Sequence, residues 1–317
     1  MSTLALKGPA WVTVRQYRRT LWTTGALVLL SLAVIGGLRL WDGRTPDVRL
    51  PDGTWAPADE SRGYETLRIA MEYAGTGLLL LPLLAGAFVA GPLIAREFES
   101  GTYRLALTQS VRPAAWLRAK LLTTATVALA ATLALLAVYR LGWGRVSGTY
   151  QLAWSDRGSY EGTGIVLVGY VLAAVAVGAL VGLLIRRTLP AMALTAAVLA
   201  LLTVVLGELR WSLMPVLTVT GPVGKDTAPL VPPAGDWLMM DSGMIGPHGD
   251  RLPEWTCFEH TRNLTDCPPD LGITGQYLDY HPRSHFWPTQ LAETGILLAL
   301  TALALLAAFR LLRTRHP

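Results

Sequence analysis

Charge is scarce in this sequence. Asp, Glu, Lys and Arg make up 15% of its 317 residues, against about 25% in an ordinary soluble domain. The shortage is uneven: apolar runs of roughly 17–25 residues alternate with polar segments that carry nearly all the charge, and such runs are long enough to cross a bilayer core of about 30 Å. A soluble globular fold is excluded, and at 52% hydrophobic residues so is intrinsic disorder. Cysteine is almost missing. Cys257 and Cys267 are the two present, too few for a disulfide scaffold or a four-cysteine zinc site. Catalytic signatures are missing as well. There is no GxxxxGK[ST] phosphate loop, since Gly221–Asp226 reads GPVGKD with the wrong spacing and no hydroxyl after the lysine. There is no HExxH zinc helix and no GxSxG nucleophile elbow, and Asp241-Ser242-Gly243 is expected in a loop without catalytic context. The chain is therefore expected to have no catalytic residues and no ATPase site of its own. The apolar runs hold almost no ionisable residue near their centres, which disfavours coupling to a proton or sodium gradient. Glu72, Glu208 and Glu293 fall near the ends of runs and read as solvated helix ends.

Six apolar runs are present: Leu21–Leu38, Ala70–Ala95, Leu121–Tyr139, Gly164–Ile185, Leu189–Leu206 and Trp287–Phe309. The first follows a basic stretch, as in a signal peptide, but no convincing small-residue cleavage site follows it and it reads as an uncleaved span. Within residues 1–20, Trp11, Val14 and Tyr17 are spaced to share one helical face, which suits a short amphipathic helix on the membrane surface. The second run contains Pro82 and Pro92 with Gly75, Gly77, Gly86 and Gly91. It predicts a bent helix packed closely through small residues. Residues 207–286 hold ten of the twenty prolines, both cysteines and four of the five histidines, and are too long for a plain connector. They predict a small extramembrane region with little regular structure. His248, His260, His281 and His285 match no metal motif, so no metal is expected.

Orientation follows from the basic residues. Segments 1–20, 96–120, 186–188 and 310–317 carry 14 Lys or Arg against Glu97 and Glu99 alone, while the rest of the chain carries 13 against 20 acidic residues. Basic residues concentrate on the cytoplasmic side. The termini, 96–120 and the Arg186-Arg187 turn are expected inside, and 39–69, 140–161 and 207–286 outside. The sequence pI of about 9.4 is thus a matter of topology, and no nucleic-acid partner is expected. The expected fold is an all-α integral membrane protein with six transmembrane helices, cytoplasmic termini and an irregular extracellular region before the last helix. Its parts are 1–20, a surface helix; 21–206, spans one to five including 96–120; 207–286, the extracellular region; and 287–317, the last span and tail. Outside, a Cys257–Cys267 disulfide can persist. It would close a short loop and add roughly 2–3 kcal/mol. Trp143, Trp154, Trp237 and Trp255 in the outer segments read as cover for the membrane surface or as a receiving site for cargo.

The most specific stretch is 96–120, REFESGTYRLALTQSVRPAAWLRAK. A short amphipathic helix starting near Arg96 would place Phe98, Thr102 and Leu105 on one face. Gly101 permits a turn, Arg112-Pro113 ends the element, and Trp116, Arg118 and Lys120 are expected near the lipid headgroups. The run E-x-E-x-G-T, then T-Q-S-V-R and W-L-x-A-K, resembles the segment between the second and third helices of type-2 ABC exporter permeases, especially actinobacterial members. The six-span layout and the large outer region before the last span match as well. The resemblance implies that 96–120 is a coupling helix docking on a separate ATP-binding subunit, with Glu97, Glu99, Gly101, Thr102, Arg112, Trp116 and Lys120 as the coupling residues. It further implies two ATP-binding subunits that carry ATP and Mg2+, a second permease copy or paralogue, surrounding membrane lipid, and the bacterial cell membrane as the location. Pro113 follows Arg112, where many relatives place a proline before the Ser-Arg pair. The alternatives from the residues themselves are an ion-gradient-driven transporter, or a membrane-embedded sensor or enzyme using the outer region.

Overall fold

The computed structural model describes residues 15, 18–51, 53, 55–57, 62–103, 112–149, 152–224, 227, 230–233, 235–263 and 266–315. The stripe of Trp11, Val14 and Tyr17 lies outside them. In chain order, α1 (Arg18–Asp42) leads through a hairpin of β1 (Val48–Arg49) and β2 (Trp55–Ala56) to α2 (Arg62–Leu84). A π-helical turn, Ala85–Ala90, joins α2 to α3 (Gly91–Glu99). Then come α4 (Pro113–Val146), α5 (Ser159–Thr163), α6 (Val166–Ile185) and α7 (Thr188–Leu209). Next are β3 (Leu217–Gly221), β4 (Trp237–Ile245), β5 (Arg251–Pro253), α8 (Phe258–Thr261) and β6 (Gly275–Pro282), and last α9 (Phe286–Arg315). Contacts divide the chain into two units, Met1–Glu208 with Gln290–Pro317, and Leu209–Thr289.

The first unit carries six helical runs long and apolar enough to cross a membrane: α1, the continuous α2–π–α3 run, α4, α6, α7 and α9. The fold is that of a mostly helical, multi-pass membrane protein. Proline's effect on the second span takes a specific form. Pro82 cannot donate to the preceding turn, and three residues later the ladder widens into the π turn, with Pro92 at the start of α3. α6 is the central helix, with 67% of its apolar window buried against 6% for α1. Small residues set that packing. A Cβ on Gly178 would lie 2.7 Å from the Ala90 Cβ, and one on Gly182 2.9 Å from the Gly91 carbonyl oxygen. Backbones approach this closely only where side chains are minimal.

Two apolar clusters fill the unit. Ile35, Leu67, Met71, Leu136, Tyr139 and Leu152 gather around the C-terminal ends of α1 and α4. Leu93, Trp116, Leu117, Leu183, Ala308 and Leu312 gather at the opposite end of α4. Near the first cluster, Arg145 donates to Asp42 and Asp47 at 2.9 Å each.

Several expectations need correction at this end. α4 extends to Val146, so the segment expected as loop from 140 starts as helix, and Trp154 and Glu161 are buried. The Glu161 carboxylate accepts from the Gly158 N–H at 2.8 Å. Glu293 is not a solvated helix end. It has no exposed surface, and its carboxylate accepts from the Tyr170 hydroxyl at 2.6 Å. One turn earlier, Gln290 is also fully buried. Its side-chain oxygen accepts from the N–H groups of Ile165 and Val166 at 2.9 Å each, and its amide donates to the Tyr160 carbonyl at 2.8 Å. These groups face α6, where the free N–H groups at a helix start need acceptors.

The second unit is not irregular. It holds a four-stranded antiparallel sheet in the order β3-β6-β4-β5. Leu217, Val219 and Gly221 oppose Tyr280, Leu278 and Gln276, and β4 bulges between Met239 and Asp241 where it pairs with β6. The strands were hidden because β3 and β6 are paired across more than fifty residues, with no two-residue turn to announce them. Asp279 on β6 is 5% exposed and accepts from Thr218 and Arg251. Burial raises its pKa, but the hydrogen bonds from Arg251 and Thr218 outweigh this and hold it below the usual range. Cys257 and Cys267 are bonded, with Cα atoms 4.7 Å apart, closing a loop that contains α8.

Candidate functional site

The sequence singled out 96–120, and the structure shows where most of those side chains go. α3 runs without a break from the second span to Glu99, so no separate helix starts at Arg96. Ser100 and Gly101 close it, their N–H groups donating to Arg96 and Phe98 carbonyls at 2.9 and 3.3 Å. Gly101 has φ +72°, the left-handed value that favours glycine after a helix. Thr102 follows, its hydroxyl 2.9 Å from that of Ser100. Residues 104–111, including Leu105, lie outside the described residues. Arg112 is extended and exposed, and Pro113 opens α4. The residue before the proline avoids helical backbone, as its steric clash demands, and the proline begins a helix.

α4 thus starts well before the apolar run expected from residue 121. Its 34 residues span about 51 Å at 1.5 Å per residue, more than a bilayer core needs. Trp116 and Lys120 ride on this extension and are buried in the protein, 6% and 4% exposed, whereas Arg118 of the same trio is exposed. The Glu97 carboxylate lies between them. It accepts from the Trp116 ring N–H at 3.2 Å and from the Lys120 ammonium, which also sits 5.4 Å from the Trp116 ring centre. Phe98 meets Trp116 edge-on at 6.2 Å, stacks on Tyr103 at 4.6 Å, and carries the Arg186 guanidinium 5.3 Å above its ring. Glu99 points to α7, accepting from the Thr188 N–H at 2.9 Å and from the Thr188 hydroxyl. A carboxylate there satisfies a free helix N–H and complements the positive end of the helix dipole.

The second span is therefore tied to α4 through Glu97 and to α7 through Glu99, from roughly opposite faces of its last turn. Glu97, Glu99, Trp116 and Lys120 come together; Gly101 and Thr102 form the exit from α3, and Arg112 stands at the start of α4, its backbone carbonyl accepting from the Ala115 and Trp116 N–H groups at 2.9 and 3.1 Å. Sequence reasoning missed Arg186 as a partner of Phe98 and Thr188 as a partner of Glu99. Thr188 followed by Pro190 carried a helix-start signal, but nothing local pointed to Glu99. Among the described residues, no three His, Cys, Asp or Glu side chains gather as a metal set.

Residues 54–210 match the model of a family described as ABC-2 membrane transporter related. That stretch takes in α2 to α7 and the whole of this cluster. No curated protein and no solved structure matches the chain.

Proposed function

The chain belongs to the ABC-2 membrane transporter related family, a multi-pass transport component of the cell membrane, and from that premise we propose that it is the permease of an ATP-driven exporter. The end of the bundle that holds Glu97 and Glu99 faces the cytoplasm in this reading, as the distribution of basic residues favours. Separate ATP-binding subunits, two per complex, dock there and supply ATP and Mg2+. A second permease, a copy or a paralogue, completes the pathway.

The single observation that carries this reading is the double tie of α3. A push on the exit at Gly101, Thr102 and Arg112 reaches α4 through Glu97, Trp116 and Lys120, and reaches α7 through Glu99 and Thr188. One docking surface can then move three spans together. Nucleotide binding on the partner biases such an element between two arrangements, as coupling requires. In the test, Glu99→Lys is reconstituted with its ATPase. We expect ATP hydrolysis to continue while transport falls, with membrane insertion unchanged. Normal transport by this variant would count against the docking role, and so would an intact protein that never copurifies with an ATPase. Transport driven by an ion gradient has one observation in its favour, the burial of Glu293; it requires uptake or export that persists without ATP.

A further inference from the structure

We propose that the helical unit holds one acyl chain of an anionic phospholipid in a cavity between α1, the α2–π–α3 run, α4 and α6. The cavity has a volume of about 400 Å³, within the range of ligand pockets. Its border includes Leu27, Leu84 and Phe88, which are 50%, 50% and 64% exposed. On spanning helices these side chains face lipid, so the cavity opens to the bilayer. Water there would find too few polar partners, and a void would forfeit the dispersion contacts of the lining. Bilayer hydrocarbon is the occupant that meets neither penalty.

Polarity orients it. Thr20, Thr23, Thr24, Thr123 and Thr124 line the cavity on the N-terminal halves of α1 and α4, and further along only Thr132 is polar among neighbours such as Leu135 and Val171. The two helices run in the same direction, because their C-terminal ends share one apolar cluster around Ile35 and Leu136. The cluster of five threonines therefore marks the headgroup end, and the stretch around Leu135 and Val171 the tail end. Arg18 and Arg19, both exposed, sit at that same end of α1 immediately before Thr20, and positive charge beside an intramembrane cavity favours an anionic headgroup. The chain lies against Ala85 and Phe88 of the π turn, the irregular part of the span that ends at Glu97 and Glu99. Occupancy needs no transport activity, so it stands apart from the permease reading.

The test places the full chain in lipid nanodiscs containing phosphatidylglycerol with a photoreactive diazirine on its acyl chain, and maps the adducts by mass spectrometry. Adducts are expected to concentrate on 81–89 and 123–135. They should fall several-fold in Ala131→Trp, or in Val127→Phe if the first variant is unstable, while adducts at lipid-facing Leu201 and Leu303 stay level. Phosphatidylcholine bearing the same chain should label 81–89 and 123–135 more weakly. Adducts spread evenly over all spans, or unchanged by both fillings, would mean ordinary surrounding lipid and overturn the site. Equal labelling by the two lipids would overturn its anionic selectivity.

Discussion

At the residue scale the decisive group is Glu97. Its carboxylate is the acceptor for a buried ammonium and a buried indole, so removing it strands Lys120 without a counter-charge. Breaking a buried pair from one side costs about 3–5 kcal/mol. Glu97→Ala should lower the melting temperature of the purified protein sharply. The double variant Glu97→Ala/Lys120→Met should recover much of the loss, since no charge is then left buried. A single variant as stable as the parent would remove Glu97 from the packing of this end. All three residues were conspicuous in the sequence as parts of one basic stretch, but their pairing was not. It joins positions 19 and 23 residues apart, and Lys120, expected near the headgroups, proves to be buried on the part of α4 that begins at Pro113. Glu293 was misread for a similar reason. Position near the end of an apolar run suggests solvent, and only the neighbouring helix with Tyr170 shows it to be enclosed.

At the scale of elements, the glycines of the second span separate into different kinds. Sequence placed Gly75, Gly77, Gly86 and Gly91 together as small packing residues. A Cβ on Gly86 would come within 2.3 Å of Leu199, whereas one on Gly77 would meet nothing within 4 Å. Composition does not reveal which face of a helix is occupied. A close backbone contact is the crossing of α6 over the end of the π turn, where a Cβ on Gly178 would lie 2.8 Å from the Gly91 nitrogen. Gly178→Ala should cost about 1–3 kcal/mol through overpacking, read as a lower melting temperature. Gly77→Ala should be neutral or slightly stabilising, because alanine is the better helix former. Equal effects from the two would mean that the α6 crossing is not a tight one. The π turn was legible as an irregularity from Pro82 and Pro92, but not as extra residues in a turn, since proline equally permits a simple kink.

At the scale of the whole molecule, the Leu209–Thr289 unit carries its own pH dependence. His281 on β6 has no exposed surface. Its Nε2 lies 3.0 Å from the Trp211 carbonyl oxygen and its Nδ1 2.9 Å from Nδ1 of His285. Burial lowers its pKa, nearby His285 lowers it further, and the hydrogen bond to Trp211 opposes both without reversing the shift. The unfolded chain therefore takes up the proton first as pH falls. The stability contributed by neutral His281 is fully present above about pH 6.5, the ordinary histidine value. It is lost as pH drops from there through the lowered folded value. Hydrogen exchange on β6 should quicken on acidification through this window, and His281→Asn should flatten the response. Asp279 on the same strand also has a lowered pKa, but its contribution is lost only below the usual aspartate range, so the two steps separate. A wild-type response confined to the aspartate range would reject His281 as the source.

Membrane residence and the number of spans were legible in the chain itself; that Cys257 and Cys267 can pair was legible too, but that they are bonded came from the structure. Span count depends on the length of local apolar runs, and two cysteines leave one intramolecular pairing. The resemblance of 96–120 to a coupling segment was legible too, because motif and position in the span order can be read without packing. Tertiary structure alone decided that Glu97 closes on α4, that Glu99 caps α7, that Glu293 is enclosed, and that 209–289 contains a sheet. Each of these depends on groups far apart in sequence meeting within hydrogen-bond distance, and burial of charge or completion of a strand ladder has no local signature.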